Sequence, residues 1–305
     1  MRYLPNNQQG QALLIVLLTL AATLTVVLSV VSRSVTDITV STYEEDALRA
    51  FSAAEAGIEE ALLKGTTQDP EPVPIENDVE YDVKVEDKTV TDKRYRYPKD
   101  LVSGETATFW FVSHDANGNL ICDSTAGKPC FIKNTLNLCW GNPTASVVPA
   151  IEVTYYYDTS SGSMTIPNNF TNVKVKRFAF DENHSARGNN FNDTIIGSGC
   201  TIGSDQFRYR ANINVNTDVA PSCDSNSGCS IMAKIRMYYA TAAEPQRIGM
   251  WTTGPASDIP SQGFLIDSKG SAGESTRRIN VFQSFPEPPS FFDATVFSRQ
   301  DLVKN

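Results

Sequence analysis

Charge is missing from the start of this 305-residue chain: no charged side chain stands between Arg2 and Arg33. Proline and glycine are also absent from Gln11 to Phe51, which excludes turns and loops there and leaves an uninterrupted helix. Histidine is scarce. The only two, His114 and His184, lie in no GxSxG or HExxH pattern, so both read as solvent-exposed loop residues. No enzyme activity, catalytic residue or cofactor is expected. Lys and Arg number 26 against 35 Asp and Glu, a net charge of −9. That balance argues against nucleic acid, which needs clustered cations against phosphates. No cysteine occurs outside the stretch from Cys122 to Cys229, and none has CxxC spacing, so no zinc site is expected.

What is present first is a run of apolar residues. Ala12 to Val31 is broken only by Thr19, Thr23, Thr25 and Ser29, and as a helix it would be about 30 Å long, enough to cross a bilayer. A secretory signal has a shorter apolar region and a small-residue cleavage site, and "VVSRS" is a poor one. The segment therefore spans. Ala21, Thr25 and Ser29 stand at i, i+4, i+8, a small-residue stripe that suits helix packing; hydroxyls bonding back to their own helix explain the last two equally well. Arg2 before the run favours an N-terminus inside and Arg33 opposes it. The six cysteines tip the balance towards an exported, oxidising location for the rest of the chain.

Beyond the membrane the helical pattern continues. In "EEDALRAFSAAEAGIEEALLKG", Ala47, Ala50, Phe51, Ala54, Ile58, Ala61 and Leu62 form an apolar stripe. Glu45 and Arg49 stand at i, i+4, Lys64 suits the last turn and Gly65 a C′ position. The expectation is one helix from about residue 11 to 64, roughly 80 Å long.

A short leader ending in Gly10, then a hydrophobic helix that becomes amphipathic, resembles the N-terminus of type IV pilins. "GQALLIVLLTLAATLTVVLSVVSRS" with "AFSAAEAGIEEAL" is most similar to the PilX-type minor pilins, over about the first 65 residues. The resemblance implies cleavage by a prepilin peptidase between Gly10 and Gln11, N-methylation of Gln11, and extraction from the cytoplasmic membrane into a surface filament. It implies as partners other pilin subunits, the peptidase and the inner-membrane assembly machinery. Ile15, Ala21, Thr25 and Ser29 would then pack in the filament. Most pilins carry Glu five residues into the mature chain, thought to pair with the terminal amine of the subunit ahead. Ile15 stands there. A subunit with nothing ahead of it has no amine to neutralise, so a low-copy tip or initiating subunit is expected. The alternative is a single-pass anchored adhesin that binds a surface carbohydrate or protein.

The rest reads as β structure. Residues 66–78, rich in Pro and acids, read as a linker, and residues 79–305 as an exported β-rich domain. "VEYDVKVED", "IEVTYYYD", "VKVKRFAF" (with a bulge near Arg177) and "QFRYRANINV" alternate with period two; "TATFWFVS", "IMAKIRMYYA", "RRINVFQSF" and "FFDATVFS" are further strand candidates. The fold class is therefore α+β: a long N-terminal helix followed by a mostly antiparallel, disulfide-bonded domain. Asn117-Gly118 reads as a type I′ hairpin turn, although Asp115, Asn117, Asn119 and Asp123 offer oxygens to a cation. Six cysteines allow 15 pairings; local pairing favours Cys122–Cys130 and Cys223–Cys229, leaving Cys139 with Cys200. Exposed Tyr155–Tyr157, Trp140 and Trp251 would be the side chains to stack on a sugar.

Overall fold

The computed structural model describes residues 9–65, 68–87, 94–115, 117–123, 127–131, 135–159, 170–196, 200–220, 230–252 and 259–287. In chain order come α1 (Gln9–Lys64), β1 (Val73–Glu76), β2 (Val79–Asp87), β3 (Arg94–Arg96), β4 (Thr106–Trp110), β5 (Ser113–His114) and β6 (Leu120–Ile121). There follow β7 (Thr135–Trp140), β8 (Ala150–Asp158), β9 (Val173–Phe180), the single turn α2 (His184–Arg187), β10 (Ile195–Ile196), β11 (Thr201–Ile202) and β12 (Asp205–Gln206). The last are β13 (Tyr209–Asn214), a π-helical turn at Val215–Val219, β14 (Ser230–Tyr238), β15 (Ile248–Thr252), β16 (Gly263–Ala272) and β17 (Ser275–Ser284). The class is α+β, as the patterning predicts. The chain forms two compact units, one from residues 1–86 with 266–281 and the other from 87–265 with 282–305.

The first unit holds α1 and the sheet β1-β2-β16-β17. Gly65 ends the helix at φ +60°, its N–H reaching the Ala61 carbonyl at 3.0 Å, the left-handed cap its position predicts. Ala50, Ala53, Ala54, Gly57, Ile58 and Ala61 are the buried face of α1. This corrects the expected stripe, because Phe51 and Leu62 stay more than two-fifths exposed. The reason is close backbone approach. A Cβ at Gly270 of β16 would overlap the Ala50 carbonyl oxygen and lie 2.5 Å from the Ala54 nitrogen, and one at Gly57 would lie 2.8 Å from Tyr81. Only small residues fit where Gly270 meets the helix backbone, and Phe51 and Leu62 are turned away from it. Val79, Tyr81, Val83 and Val85 of β2 are buried at alternate positions, as predicted, and Ile266, Ser268, Gly270 and Ala272 of β16 do the same. Arg49 lies 3.9 Å from Asp46 and 3.8 Å from Glu76, and not with the Glu45 expected from spacing.

Part of the segment read as linker is a strand. β1 pairs antiparallel with β2, and Pro74 sits at its bulge between Pro74 and Glu76. An edge strand tolerates the missing N–H that made the sequence look like linker.

In the second unit a five-stranded sheet, β10-β13-β7-β15-β3, and a four-stranded one, β4-β14-β8-β9, are antiparallel throughout their described pairings. Residues from both sheets, among them Phe109, Leu138, Trp140, Tyr155, Ile213 and Ile235, share one buried core. Such aromatic and branched residues are what a sandwich of two sheets needs to fill its interior. The predicted alternation of "QFRYRANINV" holds: Phe207, Tyr209, Ala211, Ile213 and Val215 are buried. Asn214 stops the strand by accepting the Asn216 and Thr217 N–H groups. No bulge occurs at Arg177, where the β8–β9 register is unbroken; the irregularity falls between Ser230 and Met232 of β14. Disulfides join Cys122 to Cys130 and Cys139 to Cys200. The expected Cys223–Cys229 pair, the expected "FFDATVFS" strand and residues 1–8 of the expected leader lie outside the described residues.

Candidate functional site

α1 is built in two halves. From Ala12 onward through Val31 its side chains are exposed, Ile15 at 61% and Leu24 at 57%. It is the one helix among the described residues long and apolar enough to cross a membrane. Thr19, Thr23 and Thr25 donate to the carbonyls of Val16, Leu20 and Ala22 at 2.8–3.0 Å. These bonds satisfy the hydroxyls inside the helix, so they add no polar cost to an apolar surround. Thr36, Thr39 and Thr42 do the same one turn back. Gly10 and Gln11 fall in the first turn of α1, and Ala21, Thr25 and Ser29 lie along an exposed face.

The far half is held to its sheet. Besides the glycine seam, Tyr43 donates to Glu274 at 3.0 Å, and Tyr81 donates to Glu60, which also pairs with Lys64. Burial and the Glu60 carboxylate together push the Tyr81 hydroxyl up to about 12, so it remains a donor at any physiological pH. The apolar half is thereby continuous with a half fixed to folded β structure. That coupling is mechanical, because a single helix of 56 residues has no joint.

Several side chains singled out for chemistry sit otherwise than expected. His114 is 5% exposed rather than solvated. Its ring stacks on Phe285 with centroids 3.8 Å apart and meets Trp110 edge-on at 4.6 Å. Burial drives its basicity down to about 4, with the Lys128 charge acting in the same sense. His184, in α2, is partly buried, with Nδ1 3.1 Å from Asp193 Oδ1. The loop around it is organised by Asp181, which accepts from Arg187 at 2.6 Å, Asn189 at 2.7 Å and the Asn183 N–H at 2.9 Å. Burial opposes ionisation of Asp181, but these donors outweigh it and hold its carboxyl below the usual range.

The Asn117-Gly118 hairpin is no type I′ turn. Gly118 has φ +79° while Asn117 does not share the left-handed region. Asp115 accepts the N–H groups of Asn117 and Asn119. A carboxylate so engaged does the work assigned to the turn. Among the described residues no three His, Cys, Asp or Glu side chains are grouped to hold a metal. The aromatic residues offered to a sugar are mostly core: Trp140 and Tyr155 are fully buried, with Trp140 donating to the Pro149 carbonyl at 3.1 Å and Tyr155 to Ser230 at 2.6 Å. Tyr156 and Trp251 are partly exposed. A polar face that sequence reading passed over does exist, on β14, where Lys234, Arg236 and Tyr238 alternate with the buried Ala233, Ile235 and Met237. Its signal was the period of two in "IMAKIRMYYA".

No family model matches this chain, and no curated protein matches it either.

Proposed function

We propose that the chain is a minor, pilin-like subunit of a type IV pilus or related filament. In this reading α1 packs among the helices of other subunits and the β structure is displayed at the cell surface. One observation carries it: an uninterrupted helix whose first half is bare and apolar while its last turns are docked on a sheet through a seam of alanine and glycine. A simple anchor needs neither the length nor the docking, whereas a subunit extracted from the membrane needs both to transmit force to its folded part. Before assembly the chain would cross the cytoplasmic membrane once with its N-terminus inside, then meet the prepilin peptidase and the assembly machinery.

Ile15 supports a tip position. It presents an apolar side chain, 61% exposed, where most pilins place the acid that pairs with a neighbour's amine. An unpaired charge in a dry helix bundle costs several kcal/mol, so the subunit that lacks the acid fits best where no amine precedes it.

Mass measurement of the mature N-terminus tests the class. The expected species begins at N-methylated Gln11, and Gly10→Leu should abolish it. An intact Met1 on exported protein would overturn the reading in favour of the second one, a single-pass anchored adhesin. Quantitative mass spectrometry of purified filaments tests the position: if this chain is the most abundant subunit, the tip assignment fails.

A further inference from the structure

The loop that follows β9 presents an amide that the fold does not use. Triplets of the form Asn-X-Ser/Thr without a central proline begin at Asn169, Asn183 and Asn192. That pattern is the acceptor for N-linked sugar on the surface of exported proteins. Asn169 lies outside the described residues. The structure treats the other two differently.

Asn183-His184-Ser185 is pinned by its backbone and left open by its side chains. The Asn183 N–H donates to the buried Asp181 carboxylate at 2.9 Å, and its carbonyl accepts the Arg187 N–H at 3.0 Å. Its side-chain amide is exposed and makes no capping bond to α2. Ser185 is exposed too, with its hydroxyl 3.1 Å from the neighbouring His184 ring. No residue of α2 is buried, so straightening this turn on a transferase gives up no core contact. A single helical turn also has little cooperative stability of its own.

Asn192-Asp193-Thr194 is closed by comparison. Asn192 is exposed, but its N–H donates to the Ala179 carbonyl at 2.8 Å and its carbonyl accepts the Asp181 N–H at 3.0 Å, in a bridge beside Phe180. Thr194 donates its hydroxyl to Glu182 at 2.5 Å. The hydroxyl that this triplet has to present is already engaged.

We propose that Asn183 is an N-glycosylation site whose donor is an oligosaccharide carried on a lipid diphosphate. Asn183 Nδ2 bonds to the anomeric carbon of the first sugar as that carbon's bond to the diphosphate oxygen breaks. The lipid diphosphate leaves with the bonding pair, the amide gives up one proton, and nothing is oxidised or reduced. The sugar then projects into solvent from a side chain with no structural duty. The proposal rests on the exported location read from the cysteines, and Cys122–Cys130 and Cys139–Cys200 lie in the same unit as Asn183. It does not require a filament.

The test is peptide mapping by mass spectrometry of the chain purified, without reduction, from the cells that make it. The peptide holding Asn183 should be heavier by whole sugar residues, and fragmentation should place them on Asn183. Asn183→Gln should abolish the added mass. Ser185→Ala should abolish it as well, because it keeps the acceptor amide and removes the hydroxyl of the triplet. An unmodified Asn183 overturns the proposal, as does a sugar that survives either substitution or one that sits on Asn192 instead. The same map keeps site and location apart. Closed disulfides with a bare Asn183 sink the site alone, whereas free thiols at those four cysteines sink the exported location with it.

Discussion

The two units solve the packing problem in opposite ways. In the first, α1 meets its sheet through Ala50, Ala53, Ala54 and Gly57 facing Ser268, Gly270 and the ring of Tyr81, and backbone meets backbone at Gly270. In the second, the interior is filled by Trp140, Tyr155, Tyr209, Phe109, Phe111 and Phe131, each below 2% exposure, and both described disulfides lie there. A helix laid against a sheet gains by close backbone contact, whereas two facing sheets stand about 10 Å apart and need bulky side chains to fill the space. The units should therefore fail under opposite substitutions: enlargement breaks the first and truncation the second.

Truncation in the sandwich has the largest expected effect. Trp140 touches Tyr209 and Phe180 rings at 5.9 and 6.3 Å and donates to Pro149. Trp140→Ala should cost about 4 kcal/mol through lost transfer energy and the cavity left behind. Hydrogen exchange read by mass spectrometry should show the loss in β7, β8 and β14 and leave residues 50–61 protected. Loss of protection in both units alike would break the comparison.

Enlargement in the first unit comes next. Gly270→Ala adds one methyl group, yet that atom meets helix backbone at Ala50 and Ala54, which has no rotamer to yield. The expected cost is about 3 kcal/mol, near the top of the range for overpacking. Here exchange should rise in residues 50–61 and 266–272 while β7 and β8 keep their protection. A neutral Gly270→Ala would mean that the seam relaxes and that small residues there are incidental.

These two substitutions also mark where the sequence could be read and where it could not. α1, its Gly65 cap, the alternation of β2 and β13 and the Cys122–Cys130 disulfide follow from spacing, because period, cap and short-loop closure are local properties. Cys139–Cys200, 61 residues apart, is reached only as the remaining pair. β16 does not follow from spacing. Its helix-facing residues Ser268, Gly270 and Ala272 are small and partly polar, so they read as loop until the helix that demands them is in view. β7 and β15 were missed for another reason: strands buried on both faces lose their alternation, and Asn137 of β7 is 3% exposed with its amide donating to the Trp251 carbonyl at 3.3 Å. Trp140 and the tyrosines were offered to a sugar because an aromatic residue looks the same in sequence whether it faces a core or a solvent. The polar cluster of Thr106, Glu152, Thr154, Arg177, Lys234 and Arg236 was hidden for the converse reason: its members come from β4, β8, β9 and β14, and only strand register brings them together.

The smallest effect distinguishes the units by acid rather than by size. His114 is buried between Trp110 and Phe285, residues of the second unit, and no histidine occurs in the first. Its basicity falls from the ordinary 6.5 to about 4, chiefly by burial. The sign follows from the protons bound: between those two values the unfolded chain takes up a proton that the folded chain refuses. Stability from this group is therefore intact above pH 6.5 and is lost as pH falls towards 4, by about 2 kcal/mol at pH 5. Carboxylates such as Asp181, held below their ordinary range, begin to lose their contribution only near pH 5 and lose most of it at lower pH. His114→Phe keeps a ring between Trp110 and Phe285 and removes the proton. Denaturant unfolding at pH 7 and pH 5, followed by exchange in β4 and β5, should show a stability loss in the parent that the variant lacks, with residues 50–61 indifferent to both. An equal loss in parent and variant would return the acid sensitivity to the carboxylates and leave packing as the only difference between the units.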